Sequence, residues 1–268
     1  MNDPVKGYKI SFIGAGKVAT ALCRQFFSKG FRIQKIVSPT GSRGKALARS
    51  CNADWSQSAV FNSNEDFIIA AVPDDRLPRI LNGIKCPSET IVAHTAGSLG
   101  LDVFPPFLKH TGVFYPLQTF SENRSVSFSE LPFLLEASDP VVLKKLSNMA
   151  EITGARVFVT STGQRAMLHL AAVFACNFTN HMLTAGKMIS GKAGFSYDVL
   201  KPLVLETITK AIENSPENSQ TGPAYRNDTG TIKRHIDLLS FSPELQEIYR
   251  DITQSIIKFY KKDSDDQF

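Results

Sequence analysis

The residues best suited to chemistry lie near the start of the chain, where a short apolar run leads into a glycine-rich turn. Residues 10–13 are followed by Gly14-Ala15-Gly16-Lys17-Val18-Ala19, which has the spacing G-x-G-x-x-A. Between a strand and a helix, the first glycine permits a tight turn and the second lets the backbone approach a pyrophosphate. The N–H groups at the helix N-terminus then face the anion. The pattern predicts a dinucleotide site built from Gly14 to Val18; a small-residue turn without a ligand is the alternative.

The segment after the second predicted strand distinguishes between two dinucleotides. A domain that binds NAD carries Asp or Glu about 20 residues after the turn, where the carboxylate holds the ribose hydroxyls. This chain instead has Ser38-Pro39-Thr40-Gly41-Ser42-Arg43 and no acid. The hydroxyls of Ser38 and Ser42 and the guanidinium of Arg43 suit a 2′-phosphate, so we expect NADP. A polar loop that caps the next helix is the alternative. The missing acid also counts against a methyltransferase.

The predicted elements that position these residues change character along the chain. Short apolar runs alternate with helical patterns in the first half, and the predicted strands are residues 8–13, 31–38, 67–72, 90–93, 112–115 and 156–160. From Ser161 onward helical periodicity dominates, and Ser161 with Gln164 has the spacing of a capping box for a helix over residues 162–190. The predicted fold is α/β: a doubly wound Rossmann-type domain over residues 1–160, followed by an all-α domain over residues 161–268.

Composition excludes several classes of protein. The chain has 268 residues, of which 43% are hydrophobic and 21% charged, unlike a disordered chain or a fibre. The net charge of +5 is not gathered on a basic helix, so we expect no nucleic-acid partner. Cys23, Cys51, Cys86 and Cys176 form no C-x-x-C pair, so we expect neither a disulfide framework nor a metal site. The most apolar long segment contains several polar groups, so we expect no membrane span and a cytoplasmic protein.

Several motifs together resemble a family of NADP oxidoreductases whose C-terminal helical domain has no assigned function. They are Ile13-Gly-Ala-Gly-Lys-Val18, Ala71-Val-Pro-Asp74, His94-Thr-Ala-Gly-Ser98, Tyr115-Pro-Leu-Gln-Thr-Phe120, Leu168-His169 through Asn177, and Thr221-Gly-Pro223 with Arg226 and Asp228. Pyrroline-5-carboxylate reductase and the 3-hydroxyacid dehydrogenases are related to this family. The resemblance implies that Val72 and Pro73 lie beside the nicotinamide ribose, and that Thr95 to Ser98 border cofactor and substrate.

The resemblance also indicates where to look for a proton donor. The 3-hydroxyacid dehydrogenases carry a Lys early in the first helix of the second domain and an Asn one or two turns later. This chain has no Lys there; His169 is the nearest titratable group, and Asn177 follows eight residues on. An imidazole with an ordinary pKa near 6.5 suits proton donation at neutral pH. We therefore take His169 and Asn177 as catalytic candidates, with a structural hydrogen bond as the alternative for His169.

These observations lead to one hypothesis and one alternative from another class. The hypothesis is an NADP-dependent oxidoreductase that acts on a small carbonyl, hydroxy or imine compound and forms a homodimer. The alternative is a nucleotide-binding sensor or scaffold without hydride transfer. Arg226 is open to two interpretations: it holds an anionic substrate group, or its loop is a turn in which Asp228 or Thr229 caps the next helix, which we favour.

Overall fold

The computed structural model describes residues 7–62, 65–121, 124 and 126–265. It divides into two compact units, Met1–Asn177 and Phe178–Phe268. The described sheet ends at Val159 and the helical part begins at Thr162, next to the predicted domain boundary near residue 160. The division into compact units falls later, so the position of the boundary stays a prediction.

The first unit is built around an eight-stranded sheet. Its strands are β1 (Lys9–Ile13), β2 (Arg32–Val37), β3 (Asp54–Ser56), β4 (Phe67–Ala70), β5 (Ile91–His94), β6 (Thr111–Pro116), β7 (Pro132–Ala137) and β8 (Arg156–Val159). Their order is β3-β2-β1-β4-β5-β6-β7-β8, and every neighbouring pair is parallel except β6 with β7. The chain moves outward from β1 to β3 and then returns to β4, so the crevice between the carboxyl ends of β1 and β4 is where such sheets bind ligands.

Helices cover the faces of this sheet. They are α1 (Lys17–Ser28), α2 (Gly41–Ser50), α3 (Leu77–Asn82) and α4 (Pro140–Ile152), and α5 (Thr162–Ala172) follows β8. Strands β4 and β5 are buried at every position because helices pack against both of their faces. Helix α1 buries Leu22, Cys23 and Phe26 against the sheet.

The second unit is helical. It contains α6 (Thr179–Lys192), α7 (Lys201–Asn214), α8 (Thr229–Leu238) and α9 (Pro243–Asp265). Asp228 caps α8 by accepting a hydrogen bond from the Thr231 backbone N–H, as the favoured interpretation of that loop predicts. Within the described part of the chain, no helix combines the length and apolar character needed to cross a bilayer.

The fold class predicted from the sequence is confirmed, with three corrections to its elements. Strands β3 and β7 were not predicted: β3 has only three residues, and β7 pairs antiparallel with β6, unlike the parallel strands that the alternating pattern predicts. The predicted capping box is present, with the Ser161 backbone N–H 2.9 Å from Gln164 Oε1. The single helix predicted over residues 162–190 instead contains a π-helical segment, Val173–Phe178, between α5 and α6.

Candidate functional site

The glycine-rich turn joins β1 to α1 as predicted, and contacts within the protein require glycine at its first position. Gly14 has φ +114°, and its N–H donates to the carbonyl of Val37 at 2.8 Å. A Cβ at this position would lie 2.2 Å from the carbonyl oxygen of Ala71. Since β1 lies between β2 and β4, Gly14 lets the chain turn tightly across both neighbours.

The second glycine of the turn is not required by contacts within the protein. Gly16 has φ −80°, and a Cβ there would meet no atom within 4 Å. Gly16 is also the N-cap of α1, and no side chain caps that helix. The first N–H groups of α1, including those of Lys17 and Val18, therefore lack an intrahelical partner and face the same open space. This cradle of backbone donors fits the pyrophosphate of a dinucleotide.

Ser38, predicted to hold a phosphate, makes its described contacts within the fold. Its side chain is 2% exposed, and its hydroxyl donates to the Thr40 carbonyl at 3.0 Å and accepts from Trp55 Nε1 at 3.1 Å. Gly44 packs against this pair so closely that a Cβ would lie 2.0 Å from Ser38 Oγ. The Ser38 hydroxyl thus anchors the Trp55 indole under the loop, and its contact with a phosphate stays a prediction.

The other two predicted phosphate contacts lie at the surface. Ser42 and Arg43 are exposed in the first turn of α2. Arg43 and Lys17 line one cavity of about 730 Å³, together with Arg24 of α1 and Arg124. Two cationic residues predicted from separate segments of the chain thus border the same space, which is a favourable setting for an anion.

Val72, Pro73 and Thr95 follow directly on β4 and β5, whose carboxyl ends lie beside that of β1. Thr95 continues the sheet, since its N–H donates to the Ala70 carbonyl at 3.1 Å. After Pro73, the 3-10 turn Asp74–Arg76 presents a carboxylate, and Ser98 Oγ donates to Asp74 Oδ2 at 2.5 Å. This hydrogen bond ties the loop after β5 to the loop after β4.

A tyrosine and a histidine meet at the same edge of the sheet. Tyr115 lies at the carboxyl end of β6, and its Oη is 2.8 Å from His169 Nδ1 on α5. The two rings are edge to face, with centroids 5.7 Å apart. Gly97 makes room for them, because a Cβ there would lie 2.8 Å from His169 Cγ and 3.1 Å from Tyr115 Cζ. We call Tyr115 and His169 the dyad; both residues belong to the sequence motifs, but nothing in their spacing indicates that they are in contact.

The protonation of Tyr115 is set by its surroundings. Burial of the phenol raises its pKa above the ordinary value, and the negative charge of Asp74 raises it further. Tyr115 is therefore a neutral phenol at physiological pH. Such a group can donate a proton or a hydrogen bond to a bound molecule.

An ion pair fixes α5 so that His169 reaches the tyrosine. Arg165, one helical turn before His169, is fully buried; its Nη1 is 2.6 Å from Glu136 Oε2 of β7, and its Nη2 donates to the Leu99 carbonyl. The Thr162 hydroxyl donates to the same carboxylate at 2.9 Å. Because residues four apart share a helix face, this anchor also orients His169.

His94, the other histidine in the sequence motifs, has a structural role. His94 is completely buried at the end of β5; its Nδ1 accepts from the Ala96 N–H at 3.1 Å, and its Nε2 is 3.2 Å from the Gly100 carbonyl. This arrangement requires the neutral imidazole with a proton on Nε2. Burial lowers the pKa of His94 to about 4, although its hydrogen bond to Gly100 acts in the opposite direction.

Asn177, the second predicted catalytic residue, is exposed in the π-helical segment. In a regular α-helix, eight residues turn by about 800°, which leaves Asn177 about 80° away from the direction of His169. The wider π turn advances each residue by less than 100° and so reduces this offset. No hydrogen bond joins Asn177 to the dyad among the described contacts, and its catalytic role stays a prediction. Within the described part of the chain, no group of His, Cys, Asp and Glu is arranged to hold a metal ion.

The parallel sheet, the glycine-rich turn and the uncapped helix N-terminus define the first unit as a dinucleotide-binding type of α/β domain. Family profiles agree with this class: a "Rossmann-like domain" profile matches residues 4–119, and a "Domain of unknown function (DUF2520)" profile matches residues 131–256. A crystal structure from Bacteroides fragilis, described as a "putative NADP oxidoreductase", is 37% identical, covers 95% of this chain and 99% of its own, and superposes with a TM-score of 0.87. The chain belongs to this family, as its motifs predicted.

More distant structures share the fold. A reductive aminase from Aspergillus terreus, solved with NADPH and ethyl-5-oxohexanoate, is 11% identical over 94% of both chains, with a TM-score of 0.71. A 1-pyrroline-5-carboxylate reductase from Streptococcus pyogenes is 14% identical over 94% of this chain and 99% of that one, with a TM-score of 0.61. No protein with a curated function matches the chain.

Proposed function

We propose that the protein is an NADP-dependent oxidoreductase that transfers a hydride between the nicotinamide and a small carbonyl, hydroxy or imine compound. The observation that carries the proposal is the 2.8 Å contact between Tyr115 Oη and His169 Nδ1 at the sheet edge that also bears the glycine-rich turn. Reduction of a carbonyl or imine needs a proton at the heteroatom as well as a hydride. The names of the B. fragilis relative and of the A. terreus enzyme support the choice of NADP.

The cofactor's contacts follow from the turn and its neighbours. The backbone from Gly14 to Val18 holds the pyrophosphate, while Ser42 and Arg43 hold the 2′-phosphate. Val72, Pro73 and Thr95 border the nicotinamide end, because their strands β4 and β5 lie on the far side of β1 from β2. When bound, the reduced cofactor supplies the hydride. The protein's own task is then to orient the substrate and provide the proton.

The dyad provides that proton in two steps. With the proton of the imidazole on Nδ1, His169 donates to Tyr115 Oη, and the phenol O–H is free to point at the substrate heteroatom. Tyr115 gives up this proton as the hydride arrives. The Nδ1 proton of His169 then moves to the phenolate oxygen while Nε2 of the same ring takes up a proton from water, so that neither the half-buried phenolate nor an imidazolate persists. The Arg165–Glu136 ion pair keeps the imidazole in reach throughout.

The proposal is tested by following NADPH absorbance with a panel of small aldehydes, ketones and cyclic imines. We expect one of these classes to be reduced, His169→Ala to abolish turnover, and Tyr115→Phe to lower kcat by about 10²-fold or more. Both variants should bind NADPH as the wild type does, because neither side chain belongs to the cofactor cradle. Full activity of His169→Ala would contradict the dyad. Tight NADPH binding without turnover of any class would favour a nucleotide-binding sensor.

We also propose that the protein is a homodimer. Helix α7 of the second unit has no buried residue, although Leu205, Ile208 and Ile212 are large and apolar. Ile212 is 79% exposed. An apolar helix face of this kind marks an interaction surface, and a second copy of the chain is the proposed partner. Sedimentation should show a dimer, and Ile212→Arg should shift it toward the monomer; a monomeric wild type would contradict this proposal.

A further inference from the structure

Two cysteines outside the proposed active site are in direct contact. Cys23 lies on the buried face of α1, and Cys51 is the C-cap residue that follows α2. Their sulfur atoms are 3.2 Å apart, although 28 positions separate them in the chain. Both thiols are free, and both residues are buried, with exposures of 0% and 1%.

We propose that Cys23 and Cys51 are a reversible oxidation site, at which a hydroperoxide forms a disulfide that ties α1 to α2. The sulfurs need to approach by only a little over 1 Å to reach the S–S bond length of about 2.05 Å. The two other cysteines differ from this pair: Cys86 and Cys176 have no sulfur contact among the described residues, and Cys176 is exposed.

The geometry makes Cys51 the reactive partner. Its thiol receives the hydrogen bond from Cys23 and also lies 3.6 Å from Ser50 Oγ. The hydrogen bond from Cys23, together with that from Ser50 and the nearby charge of Arg24, lowers the pKa of Cys51 despite its burial. The same hydrogen bond and burial raise the pKa of Cys23, which therefore remains a thiol. The thiolate is the nucleophile in cysteine oxidation.

Position in the fold also favours Cys51 for the first step. It follows the last turn of α2, and its neighbours Ser50 and Asn52 are both exposed. Helix ends open more readily than the core, so a local opening of one turn brings the Cys51 sulfur to the surface. Cys23 lies in the middle of α1 against the sheet and has no such route.

The reaction balances with the hydroperoxide as oxidant. The Cys51 thiolate attacks the terminal oxygen, the O–O bond breaks, and the alkoxide leaves as the alcohol, or as water for hydrogen peroxide. Cys51 is now a sulfenic acid. Cys23 then loses its proton and attacks the Cys51 sulfur, so that the S–S bond forms and the S–O bond breaks with loss of water. Two thiols are oxidised by two electrons, which the hydroperoxide accepts. A dithiol reductant reverses the change by thiol–disulfide exchange.

The test treats the purified full-length protein with hydrogen peroxide, alkylates the remaining thiols under denaturing conditions, and maps the peptides by mass spectrometry. We expect the number of alkylated cysteines to fall from four to two and a linked Cys23–Cys51 peptide about 2 Da lighter than the two thiol peptides. Dithiothreitol should restore all four. Links that involve Cys86 or Cys176, or oxidation of Cys51 only to the sulfinic acid, would overturn the proposal.

Matched variants give the control. The double variant Cys86→Ser/Cys176→Ser should form the same link at the wild-type rate, whereas Cys51→Ala should form none and leave Cys23 alkylated. Because mapping of the wild type is decisive by itself, the test does not depend on whether Cys51→Ala folds. None of these cysteines takes part in the proposed hydride transfer, so failure of the link leaves the proposed function untouched, and the reverse is also true.

Discussion

Replacement of each glycine of the turn by alanine should have a different effect: Gly16→Ala should weaken cofactor binding, whereas Gly14→Ala should destabilise the fold. In Gly16→Ala the new Cβ meets no protein atom, and φ −80° is allowed for alanine. Reduced freedom of the unfolded chain stabilises the variant by about 0.4–1 kcal/mol. Alanine is a poorer N-cap than glycine, which costs about 0.5–1 kcal/mol. The two effects offset each other, so the free energy of unfolding should stay within about 1 kcal/mol of the wild type.

The cofactor should nevertheless bind more weakly to Gly16→Ala. The Cβ enters the space that the first N–H groups of α1 face, where we place the pyrophosphate. We expect NADPH affinity to fall at least tenfold, or by about 1.4 kcal/mol. In Gly14→Ala the Cβ lies 2.2 Å from a backbone oxygen at φ +114°, so strain and overpacking should cost about 3 kcal/mol or more of stability.

The assay combines urea unfolding with titration of tryptophan fluorescence. Trp55 is the only tryptophan of the chain, and its indole contacts Ser38 at the start of the loop that leads into α2, which carries Arg43. Its emission should therefore report cofactor binding, with calorimetry as the check. Wild-type NADPH affinity in a stably folded Gly16→Ala would refute the assignment of the turn as the pyrophosphate cradle.

Three further variants or conditions test other parts of the site. Arg43→Ala should weaken NADPH binding by about 10-fold, which is the low end for a charged hydrogen bond because Arg43 is exposed. The affinity for NADH should stay unchanged. An equal loss of affinity for both dinucleotides would contradict a contact between Arg43 and the 2′-phosphate. Gly97→Ala should displace the dyad rings and lower turnover about 10²-fold, and wild-type turnover would contradict the packing. The pKa of His94 is lowered to about 4 from an ordinary 6.5, so only the unfolded chain takes up this proton as the pH falls from 6.5 to 4. The free energy of unfolding should decrease by about 3 kcal/mol over that range, and His94→Gln should flatten the pH dependence.

Features that depend on neighbouring residues could be predicted from the sequence. The glycine-rich turn, the capping box of α5 and the buried central strand each follow from local spacing and periodicity. The change from an α/β half to a helical half is likewise a change in local periodicity. Strand β7 was not predicted because it departs from the parallel pattern of the alternating strands and helices: it pairs antiparallel with β6.

Features that depend on distant residues could not be predicted in the same way. Tyr115 and His169 are 54 positions apart, and they meet in a structure in which buried Arg165 anchors α5 to the sheet. The hydrogen bond between Ser38 and Trp55 could not be predicted for the same reason, since Trp55 reaches the Ser38 hydroxyl from β3. The four cysteines looked scattered in the sequence, yet the packing of α1 against the end of α2 puts two of their sulfurs in contact.

The central claim is that the protein delivers a hydride from NADPH to a substrate protonated by the dyad. The most direct measurement uses NADPH carrying deuterium at the transferable C4 position and any compound of the panel that is reduced. We predict a product heavier by one deuterium, at the carbon of the former C=O or C=N bond, and its loss in Tyr115→Phe. Product without deuterium, or undiminished formation of the labelled product by Tyr115→Phe, would contradict the account.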